Sequence, residues 1–385
     1  MYPTVIKFPR FVKEPVSSVI PFYLNKTRKS QKILDRLTVI VTDVCNLTCS
    51  HCFISTAERE KHPWEMSLEH YETLFHSAQN RIAQIHFTGG ETTVRSDFPE
   101  IAIAAAKYGE VSNSTIFTNG LQPKRIQGQL EKILDRCKMH ISIQLSIDGV
   151  EEKHDIMRQR SGAFAKTIET MRNLNELKKE YPKQVKTLSV NTVITKANLY
   201  ELDKIIDIVK DCNFLHTFSF VRDSRIHAFN LPVGEGTTDY NPVDFSSYLT
   251  NEDMEYALKI LHEKLWDKNS GKLSNAINRV VLETSYTNLK NQSNKLDVKC
   301  YSGYSSLILF PNGDVAECEF LRQFTNIKDH NWSLDSLLDS PEYKSHMSRG
   351  RQCWCSHECS VGLSLMYHRN LVRNLLDGVS GSQTN

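Results

Sequence analysis

An α/β fold, a parallel sheet flanked by helices and followed by a small cysteine-rich region, is what this sequence predicts, on three observations. Short β-branched runs alternate with helix-like segments six times between about residues 37 and 222. The distinctive polar motifs fall at the carboxyl ends of those runs, where parallel α/β folds build their sites. Cysteines gather in two places, three within eight residues at Cys45, Cys49 and Cys52 and five in the last 86 residues.

The elements follow in order. Residues 1–36 carry Pro3, Pro9, Pro15 and Pro21 and read as an extended arm, because proline at that density forbids a long helix. Leu37–Thr42 is a β-branched run that ends at the first cysteine group and is expected to be a buried strand. Ser67 opens a helix with Glu69 and Glu72 near its start, and Gln84–Thr88 is the next strand. Three further pairs follow: helix Asp97–Lys107 with strand Ser114–Thr118, helix Ile126–Arg136 with strand Ile141–Ser146, and helix Ala163–Lys179 with strand Leu188–Ile194. Helix Tyr200–Asp211 leads to the last strand, Leu215–Val221. Residues 223–250 have loop composition, with Pro232, Gly234, Gly236 and Pro242, and are expected to cover the mouth of the fold. Helices over Asn251–Lys268 and Leu273–Lys290 connect to a second domain at 296–376, and residues 377–385 read as a disordered tail.

At 385 residues, with 40% hydrophobic and 24% charged, the chain has room for one large domain and a smaller one. A net charge of +2 gives no electrostatic case for nucleic acid or an anionic membrane as partner. No window holds the roughly 18 to 20 apolar residues of a membrane span, and the first ten residues lack the apolar stretch of a signal peptide. A cytoplasmic location is expected, where clustered cysteines bind metal or do chemistry more often than they pair.

Ten cysteines in 385 residues would produce Cys-x3-Cys-x2-Cys by chance with a probability of only about 0.007. Three thiolates on one tight loop can hold a soft metal centre. Structural zinc takes four protein ligands, whereas a 4Fe-4S cluster held by three cysteines keeps one iron open. A zinc knuckle with a distant fourth ligand and buried packing cysteines are the other readings of the triple.

Cys45, Cys49 and Cys52 at this spacing, followed by Gly89-Gly90-Glu91, resemble the cluster loop of the radical S-adenosylmethionine (radical SAM) enzymes, over about residues 37–360. The resemblance implies a partial (β/α)6 barrel, a 4Fe-4S cluster whose open iron chelates S-adenosylmethionine, and reductive cleavage to a 5′-deoxyadenosyl radical that takes a substrate hydrogen. It also implies an electron donor such as flavodoxin or ferredoxin. By the same resemblance the Gly89-Gly90-Glu91 turn meets the methionine amino group, although the family commonly has Pro after this Glu and this chain has Thr92. Ser146 and Asp148 are the better candidates for binding the cofactor's ribose or carboxylate, with Asn119 and Asn191 behind them; turns that merely close strands are the alternative. Arg158 can pair with a carboxylate or lie in a solvated salt bridge. Arg222 ends the last strand and is the candidate catalytic, substrate-facing residue.

In the C-terminal region Asn312-Gly313 between β-rich runs signals a hairpin that brings Cys300 and Cys318 together. The spacing Cys-x12-Gly-x4-Cys resembles the auxiliary-cluster (SPASM/twitch) domain of many radical enzymes. Five cysteines cannot fully ligate two 4Fe-4S clusters, so one auxiliary cluster is expected, on Cys300, Cys318 and two of Cys353, Cys355 and Cys359. Four-thiolate zinc is the alternative. Cys137 and Cys212 read as packing residues, with a hydrogen-donor cysteine as the other option.

One cluster's worth of C-terminal cysteines, no room before Leu37 for a leader-binding module and no charged field place a small polar metabolite, such as a sugar or cyclitol alcohol, ahead of a ribosomally made peptide as the expected substrate. The non-enzyme alternative is a zinc- or cluster-stabilised binding protein.

Overall fold

The computed structural model describes residues 33–52, 64–222, 228–229, 248–266, 273–291, 298, 300–348 and 354–367. The expected arm before residue 33, most of the loop after Arg222, Cys353 and the tail at 377–385 lie outside the described residues.

Six parallel strands stand side by side in chain order: β1 (Arg36–Ile40), β2 (Ile85–Thr88), β3 (Asn113–Phe117), β4 (His140–Ser146), β5 (Val185–Ile194) and β6 (Leu215–Phe220). Between them run α1 (Leu68–Ser77), α2 (Phe98–Tyr108), α3 (Pro123–Arg136), α4 (Glu152–Arg158), α5 (Ala163–Glu180) and α6 (Leu202–Asp211). The architecture is the partial α/β barrel expected.

Strict alternation makes the two faces of the strands different. In β4, His-Ile-Ser-Ile-Gln-Leu-Ser, the three apolar residues are buried and Ser142, Gln144 and Ser146 lie on the other face. The register carries the pattern from strand to strand: Val39, Phe87, Ile116, Ile143 and Leu188 form one row across β1 to β5, each at most 3% exposed. Helices pack on this face, with Phe98 of α2 set edge-on against Phe87 at 5.4 Å. α3 shows why they do: Pro123 is pre-set for a first helical turn, and Ile126, Leu130, Ile133 and Leu134 recur on one side. The opposite face keeps its polar residues, Ser146, Asn191 and Thr217 forming a row across β4 to β6.

The expected boundary at residue 296 does not divide the sheet. β8 (Ser306–Leu309) pairs parallel with β1 on the side away from β2, and is buried at every position. The hairpin predicted at Asn312-Gly313 then forms: β9 (Asp314–Ala316) returns antiparallel and β10 (Thr325–Asn326) adds the edge, so one nine-stranded sheet runs β10-β9-β8-β1-β2-β3-β4-β5-β6. β1 would otherwise present unpaired N–H and C=O groups along its free edge, and β8 satisfies them. Gly313 takes φ +86° in the turn, as that position demands.

α7 (Asn251–Lys264) and α8 (Leu273–Asn291) cover β5 and β6 through Met254, Leu261 and Leu282, packed with Ile194, Phe218 and Phe220. A short pair, β7 (Ala228–Phe229) with β11 (Trp354–Cys355), and the helices α9 (Leu334–Asp339), α10 (Pro341–Ser348) and α11 (Glu358–Leu365) complete the described chain. No described helix is long and apolar enough to cross a membrane.

One buried polar pair makes stability depend on pH. Thr192 Oγ1 donates to Ile147 O at 2.6 Å, so at its 2.8 Å contact with His216 the imidazole Nε2–H must be the donor. Burial holds His216 down at about 3. The unfolded chain protonates near pH 6.5 and the folded one does not, so this group costs nothing above pH 6.5 and removes about 1.4 kcal/mol of stability per pH unit below it. Urea unfolding at pH 7 and pH 5 should therefore show His216→Gln losing about 2 kcal/mol less on acidification than the parent chain. Equal losses would sink the assignment.

Candidate active site

The first cysteine group sits on an irregular loop between β1 and the segment leading to α1, and the ends of neighbouring strands hold it. Gly90 N–H donates to Thr42 O and Glu91 N–H to Val44 O, both at 2.9 Å. A Cβ on Gly89 would stand 2.3 Å from Thr42 O, and one on Gly90 would stand 2.4 Å from Asp43 O and 2.5 Å from Val44 O. The two glycines are thus needed for the close approach of the cysteine loop itself, whereas from sequence they were expected to admit a ligand.

Glu91 extends the clamp. Its carboxylate is 2% exposed and accepts from Thr93 N–H, Thr93 Oγ1, Thr118 Oγ1 and Asn119 N–H at 2.6–3.1 Å. One buried acid therefore joins the ends of β2 and β3. The turn survives without the family's proline, since Thr92–Val94 closes as one 3-10 turn capped by the Glu91 side chain. Asn119 reaches back to the loop, its Nδ2 donating to Asn46 Oδ1 at 2.7 Å.

α4 braces the other flank. Ser50 N–H donates to Met157 O at 3.0 Å, docking the loop on the end of that helix. Asp148 was expected to face a cofactor; instead it is fully buried and its oxygens are engaged within the protein. Oδ1 accepts from Val193 N–H at 2.8 Å, while Oδ2 pairs with Arg158 and with His51 Nε2 at 3.1 Å. Despite its burial, Arg158 and His51 hold the Asp148 carboxyl well below the usual range. Arg158 in turn directs Nη1 at Cys49 Sγ, 3.6 Å away. Sequence reasoning flagged Arg158 but passed over His51, although an ionisable residue between two cysteines was itself a signal.

Cys45, Cys49 and Cys52 all line one cavity of about 290 Å³, together with Gly89, Gly90, Asn119, Ser146 and Asn191. Of the residues proposed from sequence for this site, only Asp148 is missing from its wall. Burial pushes the Cys45 thiol up to about 11 and raises Cys49 as well, against the pull of Arg158. Thiolates here therefore need a positive partner, and a metal centre supplies one. Three cysteine thiols on one cavity wall are the donor type that an iron-sulfur cluster takes.

A second cavity, of about 640 Å³, adjoins the first; Cys52, Thr88, Gln144, Asn191, Ser219 and Arg222 line both. Its far wall includes Cys318, Cys359, Glu319 and His357 from the C-terminal segment. Arg222 Nη1 donates to Glu319 Oε2 at 2.7 Å, and His357 Nε2 lies 3.3 Å from the same oxygen. Arg222 and His357 hold the Glu319 carboxyl low although burial opposes it, and the carboxylate raises His357. Cys355 is pushed up to about 12 by burial and by Cys300 and Cys318 nearby, which brings three of the five expected auxiliary ligands into one neighbourhood. Cys137 stands apart at the residue that follows α3, its thiol donating to Ile133 O at 3.2 Å, as a packing residue would.

Comparison with known proteins agrees with this geometry. Residues 39–211 match the Radical SAM superfamily model. The chain is 28% identical over 54% of its length to the sporulation killing factor maturation protein SkfB of Bacillus subtilis, spanning 45% of that protein. It is likewise 28% identical over 50% of its length to the GTP 3′,8-cyclase of Psychromonas ingrahamii, spanning 57% of it. The chain thus spans about half the length of these curated relatives. Streptococcus suis SuiB, solved bound to its precursor peptide SuiA, superposes with a TM-score of 0.55 at 16% identity over 85% of this chain and 70% of that one, a likeness of fold. The cysteine loop, the strand ends that clamp it and the family match thus identify residues 39–211 as a radical SAM domain, with a 4Fe-4S cluster and S-adenosylmethionine as that domain's cofactors.

Proposed function

We propose that this chain is a radical SAM maturase that modifies a peptide by hydrogen abstraction. The observation that carries the reading is the continuous space from the three-cysteine cavity, past Arg222, to the C-terminal cysteines, whose larger part alone is about 640 Å³. That volume suits a few residues of a peptide as well as a drug-sized ligand. SkfB, named for maturation of a killing factor, is among the sequence relatives, and SuiB shares the fold with a precursor peptide bound.

Cys45, Cys49 and Cys52 would hold the 4Fe-4S cluster, and Asn119, Ser146 and Asn191 would meet S-adenosylmethionine with amide and hydroxyl groups. When bound, the pair supplies a reductively generated organic radical able to take a hydrogen atom from substrate. The protein orients and protects. Leu47, Phe117 and Phe220 give the cavity apolar walls that exclude water, and Glu91 keeps the loop fixed against β2 and β3. Arg222, held by Glu319, offers substrate a positioned cation where the two cavities meet. Cys300, Cys318 and two of Cys353, Cys355 and Cys359 would hold the auxiliary cluster, with flavodoxin or ferredoxin as electron donor.

A small polar metabolite is the second reading, favoured by the cyclase relative and by Ser302, Ser306 and Asn312 on the larger cavity's wall. Anaerobic turnover separates the two. Perdeuterated peptides should pass deuterium from Cα or Cβ into 5′-deoxyadenosine while perdeuterated sugar alcohols pass none; the reverse pattern overturns the peptide assignment.

A further inference from the structure

Asp148, Arg158 and His51 form a buried polar group beside the cysteine loop, with Arg158 and His51 on the cavity wall and Asp148 behind them. Asp148 is 0% exposed, Arg158 and His51 are 7% each, and both reach the Asp148 Oδ2 atom. Only Arg158 goes on to a sulfur, with Nη1 3.6 Å from Cys49 Sγ. A second guanidinium nitrogen, Nη2, is spent on Asp148, so the carboxylate fixes the direction in which the first one points. Asp148 is itself fixed from below, since Val193 N–H donates to Oδ1 and Asp148 N–H donates to His154 Nδ1 at 3.2 Å. Burial keeps this His154 ring neutral at about 3, leaving Nδ1 free to accept.

We infer that Arg158 is a positioning residue that sets the reduction potential of the cluster held by Cys45, Cys49 and Cys52, and that Asp148 moderates it by offsetting the guanidinium charge. An N–H donor and a positive charge beside a ligating sulfur stabilise the reduced, more negative form, and so raise the potential. Buried as these groups are, the effect is screened far less than at the surface. The inference rests on the proposed cluster ligation. It replaces the expectation that Asp148 binds S-adenosylmethionine directly: the acid acts one layer behind the ligands.

The two residues must then act with opposite signs. Arg158→Gln removes the cation and shortens the side chain, and should move the midpoint of the S-adenosylmethionine-sensitive EPR signal to more negative potential. Asp148→Asn leaves the cation uncompensated and should move it to more positive potential. Arg158→Lys keeps a charge opposite Asp148 but loses the two-pronged fork, and should give a smaller negative shift than Gln. S-adenosylmethionine affinity, measured by the perturbation of the same signal, should change less than threefold in Asp148→Asn. Shifts of one sign in all three variants, no shift, or loss of the cluster in all three would mean a scaffold role only. A large loss of affinity in Asp148→Asn would restore direct cofactor binding. If the parent chain itself assembles no S-adenosylmethionine-sensitive cluster, it is the proposed function that fails, a result distinct from all of these.

Discussion

Replacing Cys45, Cys49 and Cys52 together by Ala should reduce 5′-deoxyadenosine release under dithionite to background and lower bound iron by about four atoms per chain. Among the described residues the three thiols share a cavity that holds no other cysteine, while Cys318 and Cys359 line the far wall of the neighbouring one. The iron and sulfide that remain should therefore belong to the C-terminal set, and combining the triple with Cys300→Ala and Cys318→Ala should remove them too. Cleavage surviving in the triple variant would overturn the assignment of the loop. A colourless parent protein carrying zinc would overturn the enzyme reading altogether.

Gly90→Ala, which adds one methyl group and touches no cysteine, is expected to be nearly as damaging. Its Cβ would meet Asp43 O and Val44 O, backbone atoms of the cysteine loop, at 2.4 and 2.5 Å, well inside contact distance. The loop must move away, and a displacement near 1 Å at a reacting centre costs on the order of 100-fold in rate. Gly128→Ala is the matching control: its Cβ would meet nothing within 4 Å, on α3, where Ala is about 1 kcal/mol better than Gly. S-adenosylmethionine cleavage should fall about 100-fold in the first variant and stay unchanged in the second, which should also unfold at a higher denaturant concentration. Comparable cleavage by both would show that the loop tolerates displacement and that the glycine clamp has no functional weight.

The repeating parts of this molecule were legible in the sequence because local chemistry dictates them. Ile141-Ser-Ile-Gln-Leu-Ser146 alternates, so it is a strand with one apolar and one polar face, and the polar face became the cavity wall. Asn312-Gly313 forms a turn wherever it occurs between such runs. The cysteine spacing was equally local, and all three residues line one cavity. What escaped was long-range. Asp148 reads as a strand-end acid aimed at a ligand until His51 is seen to reach it from the other side of the site, a pairing across 97 positions that no periodicity reports. Arg222 was legible as the end of the last strand, but its tie to Glu319, equally distant in sequence, needed the fold. The same holds across residue 296: Ser306–Leu309 shows itself as a strand, yet nothing local says that its partner is β1.

The pairing of β8 with β1 also orders events in time. Arg36 lies opposite Ser306, about 270 residues later in the chain, so the strand that leads into the cysteine loop is born early and completed late. At roughly 5–20 residues per second, a ribosome would leave one side of β1 without its partner for on the order of 15 to 50 s. During that interval the nascent chain displays a strand edge, a template for mispairing with other chains, and closing so long a loop carries an entropic cost that slows folding. The cysteines that follow β1 thus wait on a strand made much later, and cluster insertion before β8 has docked would meet a loop whose supporting strand is still open on one side.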